Sequence, residues 1–150
     1  MSNAQSIGLS RPASLGWQIG LWTAQIVLAA LLAMAGTMKT FLVPHALPAM
    51  GINWAVDVPV GLLRFVGVSE LAAAVGLVLP ALTRIPPGLT PLAAACFLVL
   101  QLLAIGFHAI RGETAHTIGL NVMFVALSSL VAWGRARQLP IPPRHRHPQR

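Results

Sequence analysis

Apolar residues along the chain come in four long runs, each broken by proline, glycine and charge. No charged side chain lies between Arg11 and Lys39, and the first run covers about Leu15–Lys39. The second, Val58–Leu82, is VPVGLLRFVGVSELAAAVGLVLPAL, with Leu79-Pro80 expected to close its helix. The third, Leu89–Ile110, has no formal charge, and the fourth runs about Ala115–Trp133. A helix that crosses a bilayer needs about 20 apolar residues. Each run meets that length, and lipid permits only helices or closed barrels to span it. The pattern predicts an all-α transmembrane four-helix bundle over residues 15–135. Residues 1–14 read as a flexible N-terminal segment and 136–150 as a basic cytoplasmic tail. The stretch GRARQLPIPPRHRHPQR is expected not to pack. Pro44, Pro48, Gly51 and Asn53 break the connection at 40–57, which is expected to lie on the membrane or form a lid.

The polar exceptions inside the runs carry the chemistry. Glu70 is twelve residues into the second run, about 18 Å deep at ~1.5 Å per residue, and Arg64 is about 9 Å deep. A charge near a span centre costs roughly 2.5–3.5 kcal/mol on insertion scales. Both residues must therefore face other helices or a wet cavity, and intramembrane ionisable groups usually mark function. Gln101 lies at a depth that suits Glu70, while His108 or Asn121 suits Arg64. Lys39 reads as a snorkelling anchor or as a wall of the same pocket. Gln18 and Gln25 belong to the first turns of span one. Lys39, Arg64, Glu70, Gln101, His108 and Asn121 thus predict a polar pocket in the outer half, above a greasy inner half. Close helix approach is expected from Gly16-x-x-x-Gly20 and Ala29-x-x-x-Ala33.

Charge sets the orientation. The net charge of +7 comes with only 9% charged and 56% hydrophobic residues, which describes a membrane protein rather than a nucleic-acid binder. Arg11, Arg84 and the five arginines of the tail oppose Lys39 and Arg111. That excess puts both termini and the Arg84 turn in the cytoplasm. Cys96 is the single cysteine, so no internal disulfide forms. The chain has no phosphate loop, nucleophile elbow, metal-ligand pattern or cofactor motif of its own. A rival reading of the first run as a signal peptide fits poorly, because the run is too long and its leading segment barely basic.

Taken together, Ala35-Gly36-x-x-Lys39, Arg64-x-x-Gly67-x-x-Glu70-Leu71, Gly76-Leu77-x-Leu79-Pro80, Pro91-Leu92-Ala93-Ala94, Ala104-x-x-x-His108-x-x-x-Gly112-Glu113, Asn121 and Gly134-Arg135 resemble the DoxX-like family. The resemblance covers about Trp17–Arg135. Alanines stand where Leu-Gly often follows the glutamate. The resemblance implies a small four-helix protein of the bacterial inner membrane, with Lys39, Arg64, Glu70, His108 and Asn121 as its polar signature. It also implies quinone as the bound molecule. The functional expectation is a membrane subunit that binds a lipophilic small molecule and supports a redox protein partner. In that role Glu70 would hydrogen-bond or exchange a proton with a carbonyl, and Arg64 would stabilise the resulting negative charge. A non-catalytic scaffold or assembly factor is the main alternative. A proton-coupled carrier is the weaker one, since four spans without a repeat would need homo-oligomerisation.

Overall fold

The computed structural model describes residues 15–84 and 86–142. Four helices, α1 (Leu15–Phe41), α2 (Val60–Thr83), α3 (Leu89–Ile110) and α4 (Thr114–Trp133), run up and down as a bundle. All four are long and apolar enough to cross a membrane. No strand occurs among the described residues. Short turns join α2 to α3 and α3 to α4, so the helices pack in chain order, with α4 closing back on α1. The end that holds Leu15 and Thr83 is the terminal end below; the end with Phe41 and Ile110 is the far end.

The lipid-facing surface carries Ile26, Val68, Val99 and Leu103, each more than half exposed, as in a bundle solvated by acyl chains. Inside lies a layer of Leu28, Leu32, Leu77, Ala94, Phe97 and Val131. The Phe97 and Phe124 rings meet edge to face at 5.5 Å, in the favoured aromatic geometry. Lipid is as apolar as this core, so small residues and tight packing hold the helices together rather than hydrophobic burial. The tight crossing joins α1 to α2 at Gly36 and Gly67. A Cβ on Gly36 would sit 2.8 Å from the Gly67 carbonyl oxygen, and one on Gly67 would sit 2.9 Å from the Lys39 Cβ. Gly16 and Gly20 have nothing within 4 Å and face outward, so their spacing does not mark a helix contact.

α2 continues past Pro80 to Thr83 instead of closing at Leu79-Pro80. Proline removes only the N–H that would reach Gly76, close enough to the helix end for the last turn to survive. The neighbouring Leu77 carbonyl accepts from Gln25 Nε2 at 2.6 Å and from Thr90 Oγ1 at 3.4 Å. Arg84 then adopts φ 60°, a left-handed C-cap that is uncommon outside glycine.

The 44–56 connection folds as three 3-10 turns, Pro44–Ala46, Pro48–Met50 and Asn53–Val56. Pro44 and Pro48 each open a turn, where their missing N–H costs nothing. Leu47 and Ala55 tuck beneath them against Leu63. The chain after α4 was expected to stay unpacked. It instead winds on as a π-helix over Gly134–Gln138, and Arg135 enters the bundle. Gly134 allows this because its Cα lies against the Leu21 side chain, with no room for a Cβ. Residues 1–14 and 143–150 lie outside the described residues.

Candidate functional site

The far half of the bundle holds two polar pairs on opposite walls of one hollow. On the first wall, Lys39 of α1 meets Glu70 of α2, with Nζ 2.5 Å from Oε1. Lys39 is 8% exposed and Glu70 6%, so this lysine does not snorkel to the surface. The Gly36–Gly67 contact explains why: it draws the two backbones together just where the ammonium must reach the carboxylate. The second oxygen, Glu70 Oε2, is buried and has no hydrogen-bond partner among the described residues, and neither has Thr40 Oγ1. On the facing wall, Gln101 of α3 donates Nε2 to Asn121 Oδ1 of α4 at 2.5 Å. Gln101 therefore pairs across to α4 and not with Glu70.

Arg64 has a different task. Its Nη1 donates to the Lys39 carbonyl at 2.6 Å. That carbonyl belongs to the last turn of α1, whose oxygens have no helical N–H to accept from. A guanidinium there supplies both a donor and charge complementary to the helix dipole. Arg64 thus caps α1 and fixes the backbone that carries Lys39. It does not line the hollow, and it contacts neither His108 nor Asn121.

His108 does line the hollow, near its far end. Its Nδ1 lies 2.9 Å from Glu113 Oε2. Glu113 also accepts from Arg111 Nε at 2.8 Å, and Arg111 Nη2 reaches Asp57 Oδ2 at 2.6 Å. Arg111 stacks on Phe107 at 5.4 Å, and Phe107 meets Trp54 edge to face at 5.8 Å. These contacts strap the 44–57 connection to the α3–α4 turn. Arg111, and after it His108, hold the Glu113 carboxyl below the usual carboxylate range. A depressed pKa adds stability that is full above the unfolded value, about 4.3, and is lost as pH falls through the folded value. Acidification below about pH 4.3 should therefore loosen the strap. In acid titrations followed by Trp54 fluorescence, Glu113→Gln should flatten that limb; an unchanged limb would assign it elsewhere.

The hollow has a volume of about 460 Å³, within the range of small-molecule sites. Lys39, Glu70, Gln101, His108 and Asn121 line it, and apolar groups such as Leu31, Phe65, Leu100 and Phe124 make up most of the rest. Ile52 and Trp54 of the connection also border it. Five of the six residues singled out from the sequence thus share one cavity.

A second polar group lies in the terminal half, where only grease was expected. Gln25 is fully buried, ten residues into α1. It accepts from Arg135 Nε at 3.0 Å and donates to the Leu77 carbonyl. The Arg135 guanidinium lies 5.0 Å over the Trp22 ring, and its Nη2 has no partner. Gln25 is thus not a first-turn residue at the surface. Pro80 does not signal it, since the carbonyl that a proline there leaves without a helical donor is that of Gly76, whereas Gln25 serves Leu77.

Comparison with curated proteins and with solved structures returns no match. The DoxX-like family model matches residues 23–131, which takes in α2, α3 and most of α1 and α4, the Lys39–Glu70 and Gln101–Asn121 pairs and the cavity between them. The chain is a multi-pass membrane protein and belongs to the DoxX-like family.

Proposed function

We propose that this protein is a membrane subunit that holds a lipophilic molecule of quinone or quinol type in the cavity of its far half, for a redox partner that carries the electrons. The observation that carries the reading is the cavity of about 460 Å³, whose apolar walls are broken by one charged pair, one amide pair and the side chains of His108, His116 and Thr117. The family resemblance is what suggests quinone, and a flat apolar ring with an oxygen at either edge suits that lining. Lys39 would donate to a carbonyl oxygen of the oxidised form, and the Glu70 carboxylate would accept from a hydroxyl of the reduced form. Arg64 would act by holding the Lys39 backbone, not by touching the molecule. The chain has no electron carrier of its own, so a partner protein supplies or takes the electrons.

Orientation is part of the same reading. The excess of basic residues in the sequence around the two termini and at the Arg84 turn favours a cytoplasmic side for both termini, in the bacterial inner membrane that the family resemblance implies. The cavity then lies in the outer leaflet half.

The test is purification in a mild detergent, extraction of bound lipid and mass spectrometry. A quinone or quinol should accompany the wild-type protein and be depleted from Glu70→Gln. Wild-type protein that carries none above the level of its detergent blank would overturn the proposal.

A further inference from the structure

A second hollow runs down the lipid-facing seam between α2 and α3. Its volume is about 560 Å³, and Ser69, Ala72, Gly76, Leu92, Ala93 and Cys96 are among the residues that line it. Small side chains make room for it: past Phe65, α2 contributes only serine, alanine and glycine to its lining. It is not a separate feature. Phe65, Leu100 and Leu103 line both this groove and the cavity that holds the Lys39–Glu70 pair. The two hollows therefore adjoin, with three apolar side chains standing between the cavity of the buried charged pair and a furrow open to lipid. From Leu103 to Leu89 the furrow follows fourteen residues of α3, about 21 Å at ~1.5 Å per residue. That is most of the roughly 30 Å hydrocarbon core.

From this adjacency we propose that the ligand is a long-chain amphiphile that enters sideways between α2 and α3, past those three side chains. Its polar head lies in the cavity, and its single apolar tail lies along the α2–α3 groove toward Leu89. The inference rests on the cavity reading above and adds a length requirement to it. A compact polar molecule fills the cavity alone and leaves the groove to bulk lipid. A tailed molecule fills both, and its tail passes over Cys96, which is exposed and is the chain's single cysteine. Nature has thus placed a thiol reporter on the proposed path.

The experiment uses the full chain in lipid nanodiscs. Cys96 is modified with a lipid-soluble maleimide in the presence of hexadecyl-hydroquinone, methyl-hydroquinone or hexadecane, and native mass spectrometry counts the bound probes. Hexadecyl-hydroquinone at ten times its Kd leaves about one tenth of the sites free, so modification should slow about tenfold. Methyl-hydroquinone should bind without slowing it, and hexadecane should do neither. In Ala72→Phe, a substitution on the exposed face that fills the furrow, methyl-hydroquinone should still bind and hexadecyl-hydroquinone should no longer shield Cys96. Binding of both hydroquinones with Cys96 equally reactive would overturn the tail path and leave the cavity reading standing. Binding of neither would overturn both. Equal shielding by hexadecane would show a furrow that takes any lipid chain. Shielding without probe that fades as protein is diluted would show a second copy of the chain in the groove. Either of those two results overturns the proposal.

Discussion

Lys39→Met should unfold more easily than wild type by about 3–5 kcal/mol, the usual cost of leaving one buried ion without its partner. The substitution keeps the length and apolar stem of lysine, so packing against Gly67 changes little. What it removes is the ammonium 2.5 Å from Glu70 Oε1, in a place where the carboxylate is 6% exposed and its other oxygen already has no partner among the described residues. The decisive comparison is with Lys39→Met/Glu70→Met. Removing both charges together is often neutral or even stabilising, because neither ion then has to be desolvated. Unfolding titrations in mixed micelles should place the double variant near wild type and the single variant far below it. Equal loss in both would mean that the pair stabilises through shape and not through charge. A double variant that is stable but carries no quinone would separate the pair's role in binding from its role in folding.

The second large effect is at the helix crossing. Gly67→Ala puts a methyl 2.9 Å from both the Lys39 Cβ and the Thr40 backbone nitrogen. Backbone cannot rotate away as a side chain can, so α1 must move off α2. Overpacking of this kind costs about 1–3 kcal/mol, and here it also pulls Lys39 away from Glu70. Gly106→Ala is the matched control, since nothing lies within 4 Å of its Cβ position. Alanine in an open helical position should stabilise by up to about 1 kcal/mol. Thermal unfolding of the two variants should move in opposite directions. A loss at Gly106 as large as at Gly67 would mean that glycine flexibility matters here, and not the crossing.

Both effects centre on residues that stand out in the sequence, but for different reasons. The four helices were legible because the cost of a naked peptide group in lipid leaves no other way to arrange four apolar runs. Glu70 and Arg64 were legible as inward-facing because charges inside such runs have nowhere else to go. Their partners were not. Depth along a helix says which residues share a layer, but not which of the neighbouring helices each one faces. Gln101 matched Glu70 in depth and yet bonds to Asn121. Lys39 read as a surface anchor or a wall of the pocket, because it stands near the end of its span. The deciding fact was the Gly36–Gly67 contact, which glycine spacing within one helix cannot reveal. The Gln25–Arg135 link joins residues 110 positions apart and depends on a π-turn that no periodicity announces. Arg135 looked like part of a basic tail because composition averages over neighbours, and its burial is the work of a single glycine before it.

The Lys39–Glu70 pair also bears on how the chain comes to be in a bilayer. A ribosome delivers α1 before α2. When the carboxyl of Glu70 leaves the insertion channel, the ammonium that neutralises it is already waiting one helix away. The opposite chain order would send a bare acid into hydrocarbon first. The hairpin of α1 and α2 is therefore the smallest piece of this protein that can dissolve in lipid without an unmatched charge on Glu70.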